Sequence, residues 1–146
     1  TPGHAPGHLA FRENRYQALI VGDLISTLSS ILIDPSDGHL RTYLQSLESV
    51  IPVAEATAYP SHGPPAREGR KALQKQLRHR QAREKQILEA LSEGPRTPPA
   101  LLEKVYMDVD KRLHGLAKRS LLSGLIKLEE DGRARQSGDL YYLQSP

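Results

Sequence analysis

Thr1-Pro2-Gly3-His4-Ala5-Pro6-Gly7-His8 is the stretch whose reading decides the fold. Proline fixes its own φ and glycine admits positive φ, so the pair predicts a tight turn that holds His4 and His8 rigidly. Such a turn belongs at the rim of a sheet, where metal ligands tend to be found. The octapeptide lacks an initiator Met, and the chain is therefore expected to have been cut from a longer polypeptide. Two more short motifs follow it. Gly22-Asp23 ends the apolar run Ala18-Leu19-Ile20-Val21, and Tyr59-Pro60-Ser61-His62-Gly63-Pro64 comes later.

The rest of the composition narrows the chemistry. At 146 residues, with 38% hydrophobic and 25% charged, the chain suits one ordinary domain or two small ones. No apolar run approaches the roughly 20 residues that span a bilayer, so no membrane partner is expected and cytoplasm is the default location. Cys is absent, which excludes disulfides, thiolate catalysis and Cys-type zinc sites. Any metal must then be held by His, Asp or Glu, ligands suited to a hydrolytic centre. The net charge of +3 is uneven. Residues 67–85 carry eight basic and two acidic side chains, net +6, and the remainder is net −3. That segment either attracts a polyanion or is a solvated helix face.

Along the chain, residues 8–12 and 16–21 read as two strands around a polar turn. Residues 24–36 read as an apolar, Ser-rich loop. Ser36 or Asp37 is expected to cap a helix over 37–51, whose stripe is Leu40, Tyr43, Leu44, Leu47 and Val50/Ile51. Pro52 closes it, and Glu55 to Tyr59 reads as a short strand. Strand, ligand loop, helix and strand in this order fit a layered α/β arrangement with its site at strand ends. A long helix is predicted over 66–92, stopped by Glu93-Gly94-Pro95. Beyond it, Thr97 caps a helix that begins at Pro98-Pro99, and a second helix spans about 112–130, with Gly115 or Ser120 as possible breaks. Residues 133–136 and 140–143 make a hairpin. This order of elements predicts a winged helix-turn-helix over 94–146 behind a first domain over 1–93.

Three side chains carry the candidate chemistry. His4 is a neutral imidazole on a rigid turn, a good zinc ligand. Asp23 sits at the mouth of an apolar strand, where a carboxylate is costly unless a cation or several donors neutralise it. His62 again follows a strand. All three lie at strand-to-loop junctions, so they are expected to converge.

Thr-Pro-Gly-His-x-x-Gly-His, then Gly-Asp, then Tyr-Pro-x-His-Gly-Pro, resembles the second half of the metallo-β-lactamase fold over about residues 1–92. The remainder is similar to the winged-helix tail of the subgroup around lactamase-β-like protein 2. The resemblance implies an α+β chain, half of a four-layer αββα sandwich followed by a winged helix-turn-helix. It also implies two divalent metal ions, zinc foremost. His4 would hold the first ion, His62 the second, and Asp23 would bridge both and accept a proton from water. His8 matches a position that orients a ligand without binding metal.

The family's His-x-His-x-Asp-His motif is missing, and His39, His79 and His114 stand apart without such spacing. The implied activity of the longer parent is metal-assisted hydrolysis. Single-stranded RNA is the first substrate implied by the subgroup, with Lys75, Arg78, Arg83, Lys118 and Arg119 as candidate phosphate contacts. The alternatives are a small ester or thioester substrate, or a non-catalytic module that binds nucleic acid or protein. A homodimer through the winged-helix tail is a further expectation. With two protein ligands per ion, this chain by itself is predicted to bind zinc weakly and to hydrolyse nothing. Zinc content after dialysis and turnover of the isolated chain test this; two retained ions with turnover would refute it.

Overall fold

A computed structural model describes residues 1–54 and 57–144. The chain divides into two compact units, Thr1–His79 and Arg80–Pro146.

In the first unit, strands β1 (Phe11–Glu13) and β2 (Ala18–Gly22) form an antiparallel pair, and β3 (Ala58–Pro60) lies parallel to β2. A parallel neighbour cannot be reached by a hairpin, so the chain crosses over through helix α1 (Leu40–Val50). The Glu55 and Ala56 end of the strand expected over 55–59 lies outside the described residues. Alternation along β2 buries Leu19 and Val21, and these pack with Leu24, Ile33, Tyr43 and Leu47. The other face of the sheet presents Phe11, Ile20 and Tyr59, which are paired in register across the three strands and all exposed.

Helix α1 buries Tyr43, Leu44, Leu47 and Val50, the stripe that its periodicity predicts. Its cap differs from the expectation. His39, not Ser36 or Asp37, is the N-cap, and its ring accepts from Thr42 N–H. Residues 34–38 are held in a turn of their own: the Asp34 carboxylate accepts from Ser36 N–H at 3.1 Å and from its hydroxyl at 2.9 Å. Gly38 N–H closes that turn onto the Asp34 carbonyl. Local Asx chemistry thus competes with helix capping and delays the helix past the start that the sequence suggests.

Helix α2 (Gly69–Ser92) spans the boundary between the units. Leu73 belongs to the first core and Ile87, Ala90 and Leu91 to the second. In the second unit, α3 (Pro98–Val105) is capped by the Thr97 hydroxyl, as expected, and α4 (His114–Glu130) runs unbroken past Gly115 and Ser120. Strands β4 (Ala134–Ser137) and β5 (Leu140–Leu143) form the wing around a two-residue turn. Arg96 adds a bridge to Tyr141 through two backbone hydrogen bonds of 3.0 and 2.8 Å. Lys127 of α4 bonds to Glu84 at 2.7 Å and to Asp131 at 2.6 Å, and Arg133 reaches the other Glu84 oxygen at 2.8 Å.

The opening turn is sewn to α1. His39 N–H donates to the Gly3 carbonyl at 2.7 Å, and the Ser46 hydroxyl donates to the Pro2 carbonyl at 2.7 Å. Gly3 has φ +127°, and a Cβ there would lie 2.2 Å from Tyr43 N. Gly3→Ala is therefore expected to cost about 2–4 kcal/mol, through positive-φ strain and overpacking against helix backbone. Urea unfolding followed by tyrosine fluorescence measures this, and an unchanged midpoint would contradict the packing account.

Candidate metal centre

Parallel pairing brings the C-terminal ends of β2 and β3 to one edge of the sheet, so the residues that follow each strand emerge side by side. The register slips between Ile20 and Gly22, leaving Val21 as an extra residue opposite the Tyr59–Pro60 step. Proline has no N–H for the ladder, and a bulge beside it redirects the departing strand. Ser61 N–H then donates to the Gly22 carbonyl at 3.1 Å. The His62 loop is closed at its base by a reciprocal backbone pair between Ala58 and Ala66. It is also clasped by Thr27, whose N–H donates to the His62 carbonyl and whose hydroxyl donates to the Pro64 carbonyl.

His8 sets the position of Asp23 without approaching as a ligand. Its Nδ1 lies 2.9 Å from the Thr1 carbonyl, which can only accept, so Nδ1 carries the proton. Nε2 is then a lone-pair acceptor and takes the Asp23 N–H at 2.8 Å. Both ring nitrogens are thereby used. The contact needs glycine at position 22, where φ is +53° and a Cβ would lie 2.6 Å from His8 Nε2.

The carboxylate so placed faces two imidazoles. His4 Nε2 lies 3.7 Å from Asp23 Oδ2, and His62 Nε2 lies 3.4 Å from Oδ1. Side-chain exposure is 33% for His4, 24% for Asp23 and 66% for His62, so the group opens to solvent on the His62 side. The tautomer of His4 is fixed as firmly as that of His8. Its Nδ1 donates to the Leu32 carbonyl at 3.0 Å, which leaves the Nε2 lone pair directed at the carboxylate. Two lone-pair or anionic groups facing each other are poor hydrogen-bond partners. The other oxygen, Asp23 Oδ1, is buried without any hydrogen bond, the 3.4 Å approach of His62 notwithstanding. A carboxylate with one orphaned, buried oxygen and an imidazole lone pair facing the other fits a cation. The arrangement is pairwise and not a cage: among the described residues, no group of three or more His, Asp or Glu side chains is close enough to hold one ion.

The basic residues predicted to meet phosphate separate into different environments. Arg83 is 14% exposed and makes a two-pronged ion pair with Asp108 at 3.0 and 2.9 Å. It also donates to the Val105 carbonyl at 2.6 Å and lies 4.7 Å from the Tyr106 ring centre. This is an internal tie within the second unit, and it leaves the guanidinium little to offer a phosphate. Arg78, Lys118 and Arg119 retain surface exposure, and Lys75 stands over a cavity beside residues 25–30. Sequence reasoning missed the His4 link to Leu32, the Thr27 clasp and the Arg83–Asp108 pair.

This fold is that of the metallo-β-lactamase superfamily, whose profiles match the chain in two separate segments. Residues 1–62 match the profile described as "Metallo-beta-lactamase superfamily", and residues 97–142 match "Beta-lactamase associated winged helix domain". The α+β fold class, half of that sandwich followed by a winged helix-turn-helix, is the one the sequence implied. The chain is 26% identical over 152 residues to "Beta-lactamase-like protein 2 homolog" of Drosophila melanogaster, covering 100% of this chain and 50% of that protein. It is 23% identical over 159 residues to "Atrochrysone carboxyl ACP thioesterase" of Aspergillus fumigatus, covering 98% and 49%. Among solved structures, a metallo-beta-lactamase family protein from Thermus thermophilus superposes with a TM-score of 0.83 at 27% identity, covering 99% of this chain and 48% of that one. The chain spans about half the length of the curated relatives it matches.

His8→Ala leaves His4, Asp23 and His62 in place but frees the Asp23 N–H. Zinc affinity is expected to fall about 10–100-fold, as for other groups that position a ligand. Competition with a chelating dye measures it, and an unchanged affinity would show that His8 merely packs.

Proposed function

We propose that the polypeptide in which this chain occurs is a metal-dependent hydrolase, with His4, Asp23 and His62 among its metal-binding side chains. The observation that carries this reading is the orphaned Asp23 Oδ1, buried between two imidazoles whose ring nitrogens approach opposite oxygens of one carboxylate. His4 would hold a first divalent ion, His62 a second, and Asp23 both. Such ions supply Lewis-acid polarisation and lower the pKa of a water. The protein's own part is positional. The Leu32 carbonyl fixes the His4 tautomer, His8 fixes the Asp23 backbone, and the Thr27 clasp fixes the His62 loop.

Two substrate readings remain, each with its own support. Thioesterases stand among the relatives, which favours an ester or thioester carbonyl. The net +6 of residues 67–85 favours RNA phosphodiesters, with the winged-helix Lys118 and Arg119 as further contacts. Arg83 drops out of that set because its donors are engaged. The thioester reading is the stronger, since the fold alone names no substrate and a net charge marks no reaction, whereas thioesterases stand among the relatives.

The test uses zinc-loaded protein expressed with whatever coding sequence precedes Thr1, assayed on an acyl-thioester and on single-stranded RNA. Asp23→Asn is expected to lower turnover more than about 100-fold, beyond the usual effect of an outer partner. Turnover that survives Asp23→Asn would remove the metal-hydrolase reading. Cleavage of RNA with no thioester hydrolysis would reverse the order of substrates.

A further inference from the structure

The loop that leaves Asp23 encloses, with the first half of α2, a cavity of about 380 Å³. Ile25, Leu28 and Ala72 give its apolar wall, and Ser29, Ser30 and Lys75 give hydroxyl and ammonium groups. Among the described residues, the Ser29, Ser30 and Lys75 side chains make no hydrogen bond or ion pair. The Ser26 hydroxyl accepts from Leu28 and Ser29 N–H at 3.1 and 3.3 Å, which bends the loop around the cavity. Thr27, which also lines the cavity, fastens the same loop to the His62 loop.

Hydroxyl donors with one lysine and no carboxylate in the lining suit a compact anion with several acceptor oxygens. The adjoining Ile25 and Leu28 suit the carbon chain that bears it. We propose that this cavity is a subsite for the phosphate group of the substrate, with Lys75 as its counter-charge. The inference deepens the hydrolase reading above and rests on it for the word substrate; the anion site itself stands on the cavity. Lys75 therefore has a role different from that of Arg78 and Arg83, with which it shares a helix and a sequence pattern. It recognises one phosphate at a fixed place, not a polyanion along a surface.

The 146-residue chain, titrated with inorganic phosphate and followed by amide ¹H–¹⁵N NMR, tests the proposal. Saturable shifts are expected at 25–30 and 72–79. Lys75→Ala is expected to weaken binding about tenfold, the effect of losing one charge-assisted contact. Lys85→Ala removes an equal charge from the same helix, where Lys85 pairs with Glu89 outside the cavity, and should change affinity less than about twofold. Acetate should bind more weakly than phosphate. Equal losses from both lysine variants, tighter acetate binding, or no saturable shift would overturn the proposal. Binding with these signatures in a protein that hydrolyses nothing keeps the subsite and removes the hydrolase; hydrolysis without such binding does the reverse.

Discussion

The parallel pairing of β2 with β3 is the constraint on which the rest of the first unit depends. Because the two strands point the same way, the chain leaves both at one edge, and the Gly22-Asp23 and Ser61-His62 steps emerge as neighbours. An antiparallel pairing of the same strands would send them to opposite ends. The pairing requires a crossover, and α1 supplies it. Tyr43 of α1 is fully buried, and its hydroxyl donates to the Leu24 carbonyl just past Asp23 at 2.7 Å. The crossover helix thus packs beneath the loop that carries the carboxylate. Pro60 removes a ladder donor where the strands end, and the bulge at Val21 accommodates it.

The site is pre-shaped by backbone groups more than by side chains. The carbonyls of Thr1 and Leu32 select the tautomers of His8 and His4, and the Asp23 N–H anchors to His8. Each is a neutral hydrogen bond of modest net value, about 1 kcal/mol. Together they fix which nitrogen faces the carboxylate, and this matters more to the chemistry than their energy does. Glycines at 3 and 22 are the condition for these contacts, because a Cβ at either would occupy the space of the neighbouring helix or ring.

Charge is arranged by a separate logic. The basic run of residues 67–85 has no single role in the folded chain. Arg83 is consumed by Asp108, Val105 and Tyr106; Lys75 stands over a cavity; Arg78 keeps contact with solvent. Burial pulls the Lys127 ammonium down, but its hydrogen bonds to Asp131 and Glu84 outweigh this and leave its pKa above the ordinary lysine value. Such an internal network uses cations to hold the wing's neighbours together, and a net-charge count treats them as equal to those that remain exposed.

The sequence by itself determined the elements and the motifs. Period-3.6 stripes marked α1 and α2, Thr97-Pro98 marked the start of α3, and the three His/Asp motifs carried the resemblance to a family the comparisons bear out. These are local signals, written in residues a few positions apart, and local physics is enough to read them. Tertiary structure decided the rest. That His39 caps α1 depends on Gly3 arriving to take its N–H. That Arg83 is an internal tie depends on Asp108, and the cavity over Lys75 depends on a loop that begins at Ile25. In each case the partner is brought close only by folding, and a hydrogen bond or ion pair acts over a few ångströms of space whatever the separation along the chain.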